Sequence, residues 1–321
     1  MNPFSETTLP LVVAPMFLVS SPELVIESSK AGVIGALPAA NARDIEILDG
    51  WMQQIHAALH EVGQPWMLNM IVHSSYDRFD SELKLVKRYQ PSIVSTALGS
   101  PARVIGAVKG YGGKVYADVI TPAMAKKALA TGIDGLILVC KGAGGHTGQY
   151  NPLAFISEVR RFWSGPLGVA GCISIGSDIL SMLSAGADFV VSGTRFIAAK
   201  ESFANDDYRQ MLIDSHLEDI IETKVVSGVK ANWMKASLKQ AGLLDSVEGL
   251  TNVVSSHVSA AVDFSGNIAS SSKAWRDVWS AGQGVGAIEN TEPVVEIVQK
   301  LEVEFKESIK KLSNLKQRYV V

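Results

Sequence analysis

Residues 167–196 read LGVAGCISIGSDILSMLSAGADFVVSGTRF. A short apolar run, Leu167–Ala170, closes on Gly171. An amphipathic stretch follows, with Ser177-Asp178 as a candidate helix cap and Gly186 as the helix stop. A second apolar run, Phe189–Ser192, closes on Gly193. Strand, helix and strand in this order make a βα unit of a parallel sheet, because continuous apolar runs suit strands covered on both faces.

The same unit recurs toward the N-terminus. Short runs at Leu11–Ala14, Val33–Ala36, Trp66–Ile71, Ile93–Thr96, Lys114–Val119 and Gly135–Val139 bring the predicted strands to eight. Helices between them start on Ser21-Pro22, Ser100-Pro101, Thr121-Pro122 and Asn151-Pro152, a cap followed by proline at the first helical position. Gly32, Gly132 and Gly186 stand where helices hand over to strands. No GxGxxG follows the first strand, so eight units argue for a closed (β/α)₈ TIM barrel over an open doubly wound sheet. After Lys200 the rhythm changes. Asn205–Thr223 reads as a polar, acidic helix, and Gly228–Gly242, with Asn232, Trp233 and Met234, as another helical stretch. Thr251–Ser272 is rich in Ser, Val and Ala, and Glu292–Leu315 is a long charged amphipathic helix. The expected organisation is a barrel over 1–200 and 286–321, with a helical lid or substrate insertion over 201–285 at the barrel mouth. A structural annex remote from the site is the competing expectation.

Bulk properties exclude several classes. Of 321 residues, 47% are hydrophobic and 19% charged, which supports a large core and excludes a disordered chain. A net charge of -3 argues against a nucleic-acid partner. The two cysteines, Cys140 and Cys172, build neither a disulfide framework nor a metal site, and are expected as small buried hydrophobes. His56 and His60 share a helix face but lack an HExxH core, so no metal is expected. The opening MNPFSETTLP has no cationic and apolar leader, and the longest apolar runs are too short to span a bilayer. The expectation is a cytoplasmic protein with a small-molecule substrate and no membrane partner.

Chemistry-bearing residues gather at predicted strand ends. Gly171 and Gly193 end consecutive units, where TIM barrels bind phosphate through backbone N–H groups, and Thr194 adds a hydroxyl. Tight βα corners are the bland alternative. The loop Lys141-Gly142-Ala143-Gly144-Gly145-His146-Thr147-Gly148-Gln149 follows the sixth strand. Its glycines cost conformational entropy, and its His can act as a base near neutral pH. Ala14-Pro15-Met16 ends the first strand, where Met can lie against a flat ring or simply fill core. Asn69, polar inside an apolar strand, needs a partner. Asp118 ends the fifth strand and could be a base, a ring contact or a carboxylate paired with Lys141. Trp233, Trp275 and Trp279 could line a substrate pocket, meet a second copy in a homodimer, or pack in the core.

These motifs together resemble the nitronate monooxygenases, FMN-dependent barrels. The carrying residues are Ala14-Pro15-Met16, Ala143-Gly144-Gly145-His146, Ala170-Gly171-Cys172-Ile173, Gly193-Thr194-Arg195-Phe196 and Ala281-Gly282-Gln283-Gly284-Val285-Gly286. The resemblance spans nearly the whole chain and is weakest over about 205–275. It implies that Ala14, Pro15 and Met16 line the flavin and that Asn69 touches its ring system. It further implies that Gly144 and Gly145 approach the cofactor, and that Gly171, Cys172, Gly193 and Thr194 bind the FMN phosphate. His146 would be catalytic, hydrogen-bonding the nitro group or taking the α-proton of a nitroalkane. The implied reaction converts an alkyl nitronate and oxygen to a carbonyl compound and nitrite. Three positions depart from the family. Gly142 stands where an acid is common, Asp118 where a flavin-contacting Lys is common, and Cys172 where a second Gly is common. Flavin enoyl-(acyl-carrier-protein) reductases of the same superfamily share a similar Gly-Gly-His loop, so an NAD(P)H-dependent reductase is the alternative. A non-redox phosphate-binding or FMN-binding barrel is the third.

Overall fold

A computed structural model describes residues 3–244 and 275–319. Eight parallel strands close into a barrel: β1 (Leu11–Val13), β2 (Ile34–Pro38), β3 (Trp66–Ile71), β4 (Ile93–Ala97), β5 (Lys114–Val119), β6 (Gly135–Val139), β8 (Leu167–Ala170) and β9 (Phe189–Ser192). β9 pairs with β1, with Val12 opposite Val191, and that pairing completes the ring. The expected TIM barrel is present, and every predicted strand falls on an observed one.

Inward side chains Val12, Ile34, Met67, Ile93, Tyr116, Ile137, Phe189 and Val191 fill the barrel interior. Phe4 stacks on Phe189 at 4.5 Å. Outward residues such as Leu11, Val13, Leu68, Val94 and Leu136 meet the surrounding helices. Those helices are α1 (Pro22–Lys30), α2 (Ile45–Leu59), α3 (Phe79–Tyr89), α4 (Ala102–Lys109), α5 (Pro122–Leu129), α6 (Pro152–Arg160) and α7 (Gly176–Ser184).

Local chemistry explains the joints. Ser21, Thr121 and Asn151 each accept a backbone N–H at the start of their helix, with proline next. Gly32, Gly132 and Gly186 adopt φ of 89°, 87° and 111°, the left-handed exits that glycine makes cheaply. Two expected caps differ. α4 starts after Pro101 without a side-chain cap. At α7 the carboxylate of Asp178 reaches back to the N–H groups of Ser174 and Ile175, because an acid in the first turn can satisfy orphan donors ahead of it.

After β9 comes the short helix α8 (Thr194–Ile197), and α9 covers Asp206–Ile213. Here the helical expectation is corrected. Leu217–Asp219 is a 3₁₀ turn, and Ile220–Thr223 is strand β10. Asn232, Trp233 and Met234 lie in strand β11 (Ala231–Met234), not in a helix; the helix α10 is only Lys235–Gln240. β10 and β11 pair antiparallel, and β11 pairs in turn with β7 (Gly145–His146). The pairing partner overrides the weak local pattern. The Thr251–Ser272 stretch lies outside the described residues. α11 (Val294–Tyr319) packs on α7 and α1 and covers the last barrel units.

Candidate functional site

The glycine turns meet the other nominated segments at the C-terminal mouth of the barrel. Gly171 has a φ of 120°, and a Cβ placed on it would stand 3.2 Å from the Ala143 nitrogen. A Cβ on Gly193 would stand 3.3 Å from Ala14 Cβ and 3.4 Å from Met16 Sδ. One on Gly144 would come within 3.2 Å of Thr194 Oγ1 and 2.8 Å of the Gly282 nitrogen. A side chain is excluded at Gly144 and crowded at Gly171 and Gly193 by neighbouring chain, so backbone is left bare at these turns.

Among the described residues, the N–H groups of Gly171, Cys172, Gly193 and Thr194 find no protein acceptor. Thr194 Oγ1 accepts the Gly282 N–H at 2.8 Å, which leaves its own proton free to donate outward. Four unpaired N–H groups and a hydroxyl thus stand at the ends of the adjacent strands β8 and β9, donors of the kind that an anion such as a phosphate monoester requires. Cys172 has a φ of 59°, the left-handed region that glycine fills at no cost, so the departure at this position carries strain. Its thiol is half-buried and Cys140 is fully buried; burial pushes both thiols up, Cys140 to about 12, so neither is a ready nucleophile.

The Pro15-Met16 turn is strapped in place. Ser20 Oγ accepts the Met16 N–H at 2.9 Å, and Asn41 Nδ2 donates to the carbonyls of Met16 and Ser20 at 3.0 and 2.8 Å. Asn41 Oδ1 also accepts the N–H of Leu18, held at a φ of 60°. Neither Ser20 nor Asn41 stood out in the sequence, since each is an ordinary loop residue until its partners are known.

His146 sits on β7, two residues past Gly144. Its strand partner is Ala231, and Asn232 Nδ2 donates to the Ala143 carbonyl at 2.8 Å. Thr147 closes the loop on the Cys140 carbonyl at 3.1 Å. The imidazole keeps open surface yet is crowded by protein, and this desolvation lowers its pKa below the usual histidine value. Trp275 stands edge-on to it with ring centroids 5.3 Å apart, and Trp233 contacts Trp275 at 4.3 Å. Trp279 instead stacks on Tyr208 at 5.1 Å.

Across the ring of strands, Asn69 lies on β3, Ser95 on β4 and Asp118 on β5, the last one residue short of its strand's end. Asn69 Nδ2 donates to Ser95 Oγ at 2.8 Å and to Asp118 Oδ2 at 3.1 Å. Asp118 thus takes Asn69 as partner rather than Lys141, whose side chain is exposed. Burial pushes the Asp118 carboxyl up to about 7 against the Asn69 bond, which favours the charged form. Ser95, fully buried, was another residue that sequence reasoning passed over.

The described residues contain no group of three or more His, Cys, Asp or Glu able to hold a metal, and no helix among them is long and apolar enough to cross a membrane.

Eight parallel strands closed into a ring, with glycine turns after the last two and a histidine loop after the sixth, define a (β/α)₈ barrel of the TIM type. The sequence pattern of the family described as nitronate monooxygenase matches residues 61–304, and the chain belongs to that family, a family of flavin-dependent oxidoreductases. It is 28% identical to a nitronate monooxygenase of Paraburkholderia phytofirmans, over 94% of each chain. Among solved structures it superposes on nitroalkane oxidase from Streptomyces ansochromogenes with a TM-score of 0.77, at 24% identity over 96% of this chain and 98% of that one. FabK from Thermotoga maritima gives a TM-score of 0.77, at 23% identity over 97% of each chain. Both superpositions show the shared barrel.

Proposed function

We propose that this protein is an FMN-dependent oxidoreductase that converts alkyl nitronates and oxygen to carbonyl compounds and nitrite. The observation that carries the reading is the convergence at one mouth of the free N–H groups of Gly171, Cys172, Gly193 and Thr194 with the loop that holds His146. A family relation to nitronate monooxygenases supports the substrate class.

The residues fit the cofactor. The cradle would hold the FMN phosphate, with Thr194 donating its hydroxyl proton. Ala14, Pro15 and Met16 would lie along the ring, and Gly144 and Gly145 would let the loop backbone approach it. Asn69 and Asp118, on the opposite wall, would meet the polar ring edge. When bound, the flavin supplies the electron acceptor for the nitronate. The chain's own residues do the rest. His146, neutral at pH 7 because crowding disfavours its cation, takes the α-proton of a neutral nitroalkane at its unprotonated ring nitrogen. With a preformed nitronate it donates a hydrogen bond to the nitro oxygens. The Trp275 edge limits the directions its ring can take. The described part of 201–285 lies against this loop through β11, and we read the 201–285 segment as the substrate-side unit of the barrel.

Purified protein should be yellow, and anaerobic alkyl nitronate should bleach it without any nicotinamide. Flavin that stays oxidised under nitronate but bleaches at once with NADH or NADPH would replace this reading with an enoyl-reductase type of reaction. A colourless protein that takes up no FMN would leave a non-redox phosphate barrel.

A further inference from the structure

One carboxyl at the mouth, that of Asp118, is held by a single hydrogen bond. Asn69 uses both hydrogens of its amide, one on Ser95 Oγ and one on Asp118 Oδ2. The amide orientation is therefore set, and Asp118 is pinned by a single oxygen. Its Oδ1 takes no hydrogen bond among the described residues. The neighbouring positions on β6 are Ile137, paired opposite Asp118, and Val139. On its own strand the inward neighbour is Tyr116, whose hydroxyl is kept protonated by burial. From β4 and β3 come Ser95 and Asn69, both uncharged. Among the described residues no cation acts on the carboxyl, whereas Glu292 has Arg195 and Lys300. An acid with one fixed oxygen, one open oxygen and no counter-ion is suited to changing its protonation state rather than to holding a constant charge. The upward shift to about 7 agrees with that placement.

We propose that Asp118 is the proton acceptor of the redox site: its Oδ1 takes a proton from solvent when two electrons enter a flavin bound across the mouth. This rests on the flavin reading above. Negative charge arriving beside a desolvated carboxylate is costly, and protonation of the carboxylate relieves it. The electron pair comes from the substrate, or from dithionite in the test. One proton accompanies the pair, and the second ends on Asp118 Oδ1, so net uptake is two protons per two electrons. No bond to carbon forms or breaks at Asp118.

The potential of the flavin-loaded protein, titrated with dithionite between pH 7.5 and 9, reads this stoichiometry. A tenfold change in proton concentration moves a two-electron couple by about 30 mV per proton. The wild type should therefore fall by about 59 mV per pH unit, and Asp118→Asn by about 30 mV. Asp118→Lys should give the shallow slope at a higher potential. A reduced-minus-oxidised infrared spectrum of the wild type, which needs no variant, should lose a carboxylate band and gain a protonated carboxyl band. A steep slope unchanged in Asp118→Asn, a shallow wild-type slope, or an infrared spectrum without that exchange overturns the proposal and leaves the flavin reading standing. Wild-type protein that binds no FMN overturns both, and is recognised before any potential is measured.

Discussion

At the scale of single residues the site depends on what is kept neutral and what is kept bare. Desolvation holds His146 neutral, so it is already a base at pH 7. For a neutral nitroalkane, kcat/KM should be flat from pH 7 to 9 and fall only on acidification past an inflection below the ordinary histidine value. His146→Ala should lower kcat for a nitroalkane by roughly 10²–10⁴-fold, and much less for a preformed nitronate, which needs no deprotonation. Equal losses on both substrates would limit His146 to a positioning role. Gly193→Ala tests the bare surface. Its Cβ would crowd Ala14 Cβ at 3.3 Å and Met16 Sδ at 3.4 Å, so the variant should fold but purify with a lower flavin content. Full flavin occupancy in Gly193→Ala would remove that turn from the cradle. His146 and both glycine turns were legible because glycine-rich loops at strand ends have few uses. Ser95 and Asn41 were not, because their value lies in partners far along the chain.

The elements show a similar division. The barrel strands were legible because burial on both faces imposes continuous apolar runs. β7 was invisible, being two residues long, and it exists only because β11 supplies Ala231 and Asn232 as partners. β11 itself was read as helix, since a run of four residues cannot separate one period from the other. Its main service to the site is the Asn232 bond to the Ala143 carbonyl. Asn232 is 2% exposed, so Asn232→Ala would leave that carbonyl without its donor and cost on the order of 1–3 kcal/mol. The expected outcome is a lower urea midpoint together with a larger loss in turnover than in flavin affinity, because the histidine loop moves while the phosphate turns remain. A lower midpoint with unchanged turnover would separate β11 from the chemistry.

For the whole molecule the last segment closes onto the eighth unit through charge. Arg195, next to the cradle, donates to Glu292 at 2.8 Å, and Lys300 joins the same carboxylate. Burial alone would raise the Glu292 pKa, but its two cations outweigh that and lower it. Arg195 and Glu292 are under a tenth exposed, so Glu292→Gln strands a buried guanidinium and should cost roughly 3–5 kcal/mol, read as a fall in Tm. Glu82 behaves in the opposite sense. Tyr76 donates to it at 2.7 Å and Arg78 lies 3.1 Å away, yet burial dominates and pushes it up to about 7. An acid with a raised native pKa contributes stability that is complete below its unfolded value near 4.5 and is lost as pH rises through about 7. Glu82→Gln should flatten the fall in unfolding free energy between pH 4.5 and 8; an unaltered slope would assign that fall elsewhere. The sequence by itself determined the eight-unit barrel and the places of its glycine corners and histidine loop, because apolar periodicity, caps and glycine act over a few neighbouring residues. Only the tertiary structure decided that Asp118 is held by Asn69, that Asn41 straps the Met16 turn, and that residues 231–234 become a strand. Each of those depends on a partner tens of residues away, and no local pattern encodes which partner arrives.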